Sequence, residues 1–300
     1  MTILKPAKLI ITAILLLIFS TTVFAQKLEP KERILEPEHV IVSKSMGKEY
    51  QLYISFPDSY STKDTLSYPV LYVLDGKYSF YSILAAKEAS DLSGSLEEVI
   101  IVGIGSGLDI QSWLKNRLYD YTPTINTPRE RALEKRWGFA AGELKSGGGD
   151  KFILSLKTEI IPFIDKHYKT NADRGISGHS QGGLFAAYCL INSDGYFTRF
   201  GINSPAFYWD NEKVLNQAVS QFTLNKSFDM PATKVFISVG GNDKNDGNNY
   251  VSQMKKFQTS LKNADYDNVY FNWQIFEGES HVSVYPAMIS RTIMSLYGKK

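Results

Sequence analysis

The sequence is poor in cysteine and in net charge. Of its 300 residues only Cys189 is a cysteine, so the chain has no internal disulfide framework. Cys189 lies in the apolar run AAYCLI, which favours a buried packing role over reactivity. The formal net charge is +2, and a nearly neutral chain has no global field to hold nucleic acid or an anionic membrane. These scarcities argue against a small disulfide scaffold and against a nucleic-acid partner.

The one long apolar run stands at the N-terminus. It spans residues 9–25, follows Lys5 and Lys8, and ends in a small-x-small site at Ala25. This layout predicts a signal peptide over residues 1–25, cleaved after Ala25. The alternative is a transmembrane anchor, for which the run is slightly short. No cysteine follows the run to carry a lipoprotein anchor. We therefore expect a periplasmic or secreted protein, and loss of the two lysines lowers its formal net charge from +2 to 0.

Short runs rich in β-branched and aromatic residues alternate with helical patterns along the remaining chain. The runs predict strands at 48–57, 68–75, 97–105, 174–180, 199–205, 233–241 and 269–276. The helical patterns lie at 152–168, 184–191 and 249–264. This alternation predicts an α/β fold, with a mostly parallel sheet covered by helices on both faces. We expect residues 26–300 to form a single domain.

Residues 106–150 lack this alternation. The stretch is long, rich in glycine and proline, and contains Trp113 and Trp137. A connection of this length inside a compact domain is usually functional. It is predicted to be a lid or a substrate-binding insertion.

The pentapeptide Gly178-His179-Ser180-Gln181-Gly182 matches the pattern G-x-S-x-G. A predicted strand precedes it and a predicted helix follows it. A strained strand-to-helix turn with small flanking residues exposes a nucleophilic serine. The sequence therefore predicts Ser180 as the nucleophile; the alternative is a purely structural turn.

A serine hydroxyl needs a base to take its proton, and the chain offers four histidines. His39 precedes the first predicted strand, and His167 lies near the end of a helix. His179 neighbours Ser180 on a strand, where successive side chains point to opposite faces. His281 follows the last predicted strand in the loop EGESHVSVYP, where sites form in such sheets. His281 is the predicted base.

The acid that orients the base is less narrowly defined. Asp243 follows the predicted strand VFISVGG and is favoured, because the acid comes between serine and histidine in this chain order. Asp246, Glu279 and a bare Ser-His dyad are the alternatives. The segment DKNDG breaks the calcium-loop spacing, so we expect no metal and no cofactor.

A tetrahedral intermediate requires two donors for its oxyanion. The backbone N–H of Gln181, directly after the nucleophile, is the first expected donor. The second should come from the loop after an earlier strand, where LYVLDGKYSF offers Gly76 and Lys77. The choice between these two amides stays open.

Several stretches together resemble the "putative esterase" family of α/β-hydrolases, which includes esterase D-like, feruloyl, acetyl-xylan and siderophore esterases. The stretches that carry the resemblance are PVLYVLDGKYSF, RLYDYTP, GISGHSQGG, NSPAFYWD and GESH. The resemblance implies the α/β-hydrolase fold and cofactor-free ester hydrolysis through Ser180, His281 and an acid matching Asp243. It also implies that Arg117, in the family pattern R-x-x-D-x-T-P, lies near the pocket and binds substrate.

The substrate is the more open part of the prediction. Trp113, Tyr208 and Trp209 lie in segments expected to border the site, and Trp209 is taken as a substrate-binding residue. The resemblance favours siderophore esters of the enterobactin type. The alternatives are a feruloyl or acetyl esterase acting on polysaccharide, an acyltransferase with the same triad, and a non-catalytic binding protein. The expected partner is a small-molecule or carbohydrate ester, with no stable membrane insertion after cleavage.

Overall fold

The computed structural model describes residues 35–61, 65–225, 227–245 and 247–299. The signal peptide predicted over residues 1–25 lies outside these ranges, and so does Asp246. From Glu36 onward the described residues form one compact unit. No helix within the four described ranges has the length and hydropathy needed to cross a membrane.

Eight strands form one sheet in the order β1-β2-β4-β3-β5-β6-β7-β10. They are β1 (His39–Ser43), β2 (Lys48–Ser55), β3 (Tyr68–Leu74), β4 (Ile100–Gly105), β5 (Thr170–His179), β6 (Arg199–Asn203), β7 (Thr233–Gly240) and β10 (Val269–Phe276). A separate ribbon pairs β8 (Lys244–Asn245) with β9 (Asn248–Asn249). In the eight-stranded sheet, the pairs β1–β2 and β2–β4 are antiparallel. The remaining pairs, β4–β3, β3–β5, β5–β6, β6–β7 and β7–β10, are parallel.

Helices follow most of the strands. They are α1 (Gly76–Leu92), α2 (Ile110–Tyr121), α3 (Thr127–Trp137), α4 (Gly149–Ser155), α5 (Ile161–His167), α6 (Gln181–Asn192), α7 (Lys213–Leu224), α8 (Tyr250–Ala264) and α9 (Tyr285–Tyr297), with a π-helical turn (Leu156–Ile160) joining α4 to α5. Helix α9 packs on α1 and contacts β6 and β7. Helix α6 contacts β5 and β6, helix α8 contacts β7 and β10, and both of these helices pack against α7. The predicted α/β-hydrolase fold, with helices on both faces, is confirmed.

The stretch from residue 106 to 150 contains two regular helices that the sequence patterns did not identify. Helix α2 begins with a capping box, in which the Asp109 carboxylate accepts the N–H of Ser112 at 2.8 Å and the Ser112 hydroxyl accepts the N–H of Asp109 at 3.2 Å. Helix α3 begins at Asn126, whose side chain accepts the N–H of Arg129 at 3.1 Å. Helix α2 packs against α6 and α4, so this insertion contributes a wall to the domain.

A buried ion pair fixes helix α2 to strand β2. Asp120 on α2 is completely buried and accepts bonds from Lys48 at 2.5 Å and from the Tyr50 hydroxyl at 3.0 Å. Burial raises the pKa of Asp120 to about 6, although Lys48 and Tyr50 act to lower it. Because α2 is held at this point, its neighbouring face is directed toward the end of strand β3.

Asp120 generates a prediction about stability and pH. Its pKa is about 6 in the folded protein against an ordinary value of 3.8, so the folded protein binds this proton more tightly than the unfolded chain. The resulting stabilisation is fully present below about pH 4 and is lost as the pH rises through about 6.

We therefore expect the free energy of unfolding of the wild type, relative to that of Asp120→Asn, to increase as the pH falls from about 7 to about 4. The gain should be on the order of 2–3 kcal/mol. Urea titrations of both proteins at several pH values measure it, and groups common to both cancel in the difference. A difference that is constant with pH, or one that moves the other way, would contradict the assignment of a raised pKa to Asp120.

Candidate active site

Ser180 occupies a strained turn between strand β5 and helix α6. Its backbone has φ 61° and ψ −115°, a region that disfavours residues with a side chain. Two hydrogen bonds hold the turn: the Ser180 N–H donates to the Asn203 carbonyl at 3.0 Å, and the Ala206 N–H donates to the Ser180 carbonyl at 2.9 Å. The turn has the geometry expected of a nucleophile elbow.

The glycines around Ser180 differ in the space they have. A Cβ on Gly178 would lie 2.4 Å from the backbone of Gly182, and a Cβ on Gly183 would lie 2.5 Å from the Asn203 carbonyl oxygen. A Cβ on Gly182 would meet Leu74 at 3.6 Å, an ordinary van der Waals contact. Close packing therefore requires glycine at 178 and 183, whereas residue 182 has room for a methyl group.

His281 bridges Ser180 and Asp243. Its Nε2 lies 3.0 Å from the Ser180 Oγ, and its Nδ1 lies 3.0 and 2.9 Å from the two carboxylate oxygens of Asp243. Asp243 is completely buried, and the His281 side chain is 15% exposed. The structure thus brings together three residues that are separated by up to 101 positions in the chain.

The loops that carry Asp243 and His281 are joined by their backbones. The Asn242 N–H donates to the Glu279 carbonyl at 2.8 Å, and a Cβ on Gly240 would lie 2.6 Å from that same oxygen. The Glu279 carboxylate accepts a bond from the Ser283 hydroxyl at 2.5 Å. Glu279, an alternative for the acid, is therefore directed to its own loop, whereas the Asp243 carboxylate contacts His281.

His179 lies against His281 without competing for Ser180. The two imidazole rings are 4.5 Å apart, and Ser180 Oγ bonds to His281. Burial, followed by the neighbouring His281, lowers the pKa of His179 well below its usual value. His179 therefore stays neutral beside His281 and contributes a wall of the cleft.

The amides of Gly76 and Lys77 begin helix α1 at the end of strand β3, beside the Ser180 turn. A Cβ on Gly76 would lie 2.6 Å from the backbone of Gly103, so this helix start packs tightly on strand β4. The preceding residue, Asp75, has φ 56° and ψ 41°. The Lys77 side chain points away, with Nζ donating to the Leu108 carbonyl at 2.6 Å.

Arg117 lies at the site as expected, but its side chain is engaged within the protein. Its Nε and Nη2 donate to the Asp75 carboxylate at 3.0 and 2.9 Å, and its Nη1 donates to the Gln181 side chain at 2.7 Å. Burial acts to lower the pKa of Arg117, but the charge of Asp75 overrides this and raises it. The guanidinium therefore remains charged and paired.

The expectation that Trp209 binds substrate is corrected by its position. The residue is 1% exposed, and its indole N–H donates to the Thr124 carbonyl at 3.2 Å. The segment after strand β6 turns this ring into the hydrophobic core, away from the residues that line the cleft beside Ser180.

A cleft of about 400 Å³ opens onto Ser180 and His281. It is lined by Asp75, Tyr78, Ser79, Trp113, Arg117, His179, Ser180, His281, Val282 and Tyr285. Trp113 was expected near the site, whereas Tyr78 and Tyr285 were not singled out. The ring centroids of Tyr78 and Trp113 are 4.5 Å apart. The signal available for Tyr78 was its place in DGKYSF, directly after the predicted oxyanion residues Gly76 and Lys77.

Within the four described ranges, no group of three or more His, Cys, Asp or Glu side chains is arranged to hold a metal ion. The chemistry that the cleft does offer is a hydroxyl, an imidazole and a carboxylate in hydrogen-bonded sequence.

Comparison with known proteins gives concordant matches. The family model described as "Putative esterase" matches residues 43–287. The ferri-bacillibactin esterase BesA of Bacillus subtilis strain 168 is 25% identical over 260 residues, spanning 84% of this chain and 86% of that protein.

Solved structures resemble the whole domain. The BES protein from Bacillus cereus matches with a TM-score of 0.72 and 28% identity, over 86% of this chain and 94% of that one. The siderophore hydrolase EstA from Aspergillus nidulans matches with a TM-score of 0.67 and 20% identity, over 85% of this chain and 92% of that one. At 20% identity, the likeness to EstA shows the fold alone.

The unequal space around the two adjacent glycines generates a prediction. Gly183→Ala should lower hydrolysis of p-nitrophenyl butyrate about 10-fold or more, because the new methyl group displaces the Asn203 carbonyl that holds the Ser180 turn. Gly182→Ala should keep activity within about 3-fold of wild type and gain up to about 1 kcal/mol of stability from its better helix propensity.

Turnover and thermal unfolding of both variants test this prediction, with each serving as the matched control of the other. Equal effects of the two substitutions would show that contact with Asn203 does not set the Ser180 geometry.

Proposed function

The chain belongs to the Putative esterase family and is a serine carboxylic-ester hydrolase, and we propose that Ser180, His281 and Asp243 carry its reaction. The observation on which this rests is the continuous line of contacts from Ser180 Oγ to His281 Nε2 at 3.0 Å and from Nδ1 to Asp243 at 2.9 Å. Serine, acid and base (Ser180, Asp243 and His281) follow one another in the chain order that α/β-hydrolases use.

In the first step, Ser180 Oγ attacks the ester carbonyl carbon while its proton moves to His281 Nε2. The buried Asp243 carboxylate accepts the Nδ1–H bond and stabilises the imidazolium that forms. The tetrahedral intermediate then collapses, the carbon–oxygen bond to the alcohol breaks, and His281 returns its proton to the leaving alkoxide. An acyl-enzyme ester on Ser180 remains.

In the second step, His281 Nε2 takes a proton from water as the water oxygen attacks the acyl carbonyl. Collapse of this second intermediate returns the proton to Ser180 Oγ and releases the acid. In both intermediates, the N–H of Gln181 and an amide at Gly76 or Lys77 would hold the negative oxygen. The tight packing of Gly76 on Gly103 supports a fixed position for that second segment.

The proposed substrate is an ester with an aromatic acyl group, of the siderophore type. Aromatic rings of Tyr78, Trp113 and Tyr285 border the cleft beside Ser180, and rings of this kind favour contact with a flat acyl group. The relative BesA is named as an esterase of a siderophore. The chemistry of the cleft and the name of this relative thus support the same class of ester.

The charge of the cleft favours the iron-free form of such an ester. Of the described residues that line the cleft, Arg117 is the sole lysine or arginine, and Asp75 neutralises it. A ferric tris-catecholate carries three negative charges and would need unpaired cations nearby. We also propose export of the enzyme, on the layout of residues 1–25, with its action on siderophores outside the cytoplasm.

Substrate identity is tested with enterobactin offered iron-free and as the ferric complex. We expect wild-type enzyme to release ring-opened and monomeric acyl-serine products, with kcat/KM at least about 10-fold higher for the iron-free ester. Ser180→Ala should lose this activity by about 10⁴-fold or more, and Ser82→Ala on helix α1 serves as the matched serine control.

Mass spectrometry of the products gives the readout. Faster turnover of the ferric complex would contradict the argument from cleft charge. Turnover of feruloyl or acetyl sugars alone would move the substrate to polysaccharide, and acyl transfer to an added sugar would replace hydrolysis as the reaction.

The choice of acid has its own prediction. Asp243→Asn should lower kcat about 10²- to 10⁴-fold, because the amide cannot stabilise the His281 imidazolium. Glu279→Gln should stay within about 3-fold of wild type, since that carboxylate bonds to Ser283. Steady-state kinetics on p-nitrophenyl butyrate compare the two neutral replacements. Near-full activity of Asp243→Asn would instead support a Ser-His dyad.

A further inference from the structure

Three side chains on one face of helix α2 contact Asp75. The Trp113 indole N–H donates to its carboxylate at 2.8 Å, and Arg117 donates twice, at 3.0 and 2.9 Å. The Asp75 backbone N–H donates to the Tyr121 hydroxyl at 3.0 Å. Side chains four residues apart lie on the same face of a helix. The spacing of these three residues is therefore what directs all of them to one aspartate.

The same contacts hold an unusual backbone conformation. Asp75 has φ 56° and ψ 41°, a left-handed geometry that is strained for a residue with a side chain. This conformation sets the direction of the amides that follow it, at Gly76 and Lys77. The bonds from helix α2 stabilise Asp75 on both its side chain and its backbone.

Arg117 also reaches the nucleophile turn. Its Nη1 donates to the Gln181 Oε1 at 2.7 Å, and its guanidinium carbon lies 4.8 Å from the Trp113 ring centroid. A guanidinium is planar, so bonds from all three of its nitrogens fix the relative orientation of the groups it joins. Arg117 therefore links the residue before Gly76 to the residue after Ser180.

We propose that Arg117 and Asp75 are positioning residues that hold the two segments of the oxyanion hole at a fixed separation. This inference rests on the proposed function, in which the Gln181 N–H and an amide at Gly76 or Lys77 stabilise the intermediate. Such donors act only when they lie about 2.7–3.1 Å from the developing oxyanion. Arg117 acts through its two neighbours, in place of the direct substrate contact that the family resemblance implied.

Kinetics of Arg117→Gln separate positioning from substrate binding. Misalignment of the oxyanion donors should lower kcat for p-nitrophenyl butyrate about 10- to 100-fold and change KM less than about 3-fold. The fold-loss should be the same for mono-p-nitrophenyl succinate, whose acyl group carries a negative charge. A guanidinium that binds substrate would instead raise KM for the anionic ester alone, and that result would overturn the proposal.

Asp75→Asn is a second test of the same two roles, in which substrate binding by Arg117 would lower KM for the anionic ester instead of raising it. Asparagine tolerates the left-handed backbone, but the substitution breaks the ion pair and leaves Arg117 uncompensated. The positioning role predicts a fall in kcat for both esters. A substrate-binding role predicts a lower KM for the succinate ester, because the freed guanidinium would attract it. The two substitutions should also be non-additive when combined, as expected of residues that act as one unit.

Two further variants keep the test valid if the buried charge change impairs folding. Gln181→Met removes only the bond to Arg117 and leaves the backbone donor in place, so it should lower kcat with KM unchanged. Arg117→Lys keeps the charge without the planar link and should also lose kcat. Lys115→Gln, on the same helix but exposed and paired with Glu143 at 3.5 Å, is the matched control.

The outcome for Ser180→Ala distinguishes this inference from the proposed function. If Ser180→Ala kept full activity, the triad itself would be wrong. If Ser180→Ala were inactive while folded Arg117→Gln and Gln181→Met kept wild-type kcat, the triad would stand and the positioning role would fail.

Discussion

The hydrogen bond from the Ser180 amide to the Asn203 carbonyl joins the nucleophile turn to the next parallel strand, and the arrangement of the site depends on it. Asn203 is completely buried, and its side chain contacts three other elements. Its amide nitrogen donates to Ser177 at 3.3 Å, and its oxygen accepts from Ser238 at 2.8 Å and from Thr292 at 3.0 Å. These partners lie on β5, β7 and α9. One buried amide thus connects the strand before Ser180, the strand before Asp243 and the helix after His281.

Parallel strands explain why so few local contacts suffice to assemble the site. Strands β3, β5 and β7 end at the same edge of the sheet, so the residues that follow them meet there without long reach. Glycines at 183 and 240 then allow the connecting segments to approach more closely than any Cβ would permit. The strained backbones of Asp75 and Ser180 persist because hydrogen bonds from neighbouring elements hold each of them.

The sequence predicted those parts of the site that depend on position along the chain. Ser180, His281 and Asp243 each follow a strand that an apolar run in the sequence predicted, and the structure places their side chains in contact. Trp209 failed as a substrate contact because aromatic character does not tell which way a ring turns after a strand. Arg117 was placed correctly near the pocket, but its partner Asp75 lies 42 positions away. No local pattern carries that pairing.

The paired charges of Asp75 and Arg117 also connect positioning to selectivity. A lone guanidinium beside Ser180 would attract anionic esters and would be free to move with them. Pairing with Asp75 removes the net charge. Removing one partner of a buried ion pair destabilises the folded protein, because the other charge is left buried and unpaired. The guanidinium is therefore fixed where it joins Asp75 to Gln181, and the aromatic rings of Tyr78, Trp113 and Tyr285 form an uncharged part of the cleft lining. In the proposed mechanism, a neutral aromatic cleft and a rigid oxyanion hole both follow from the same ion pair.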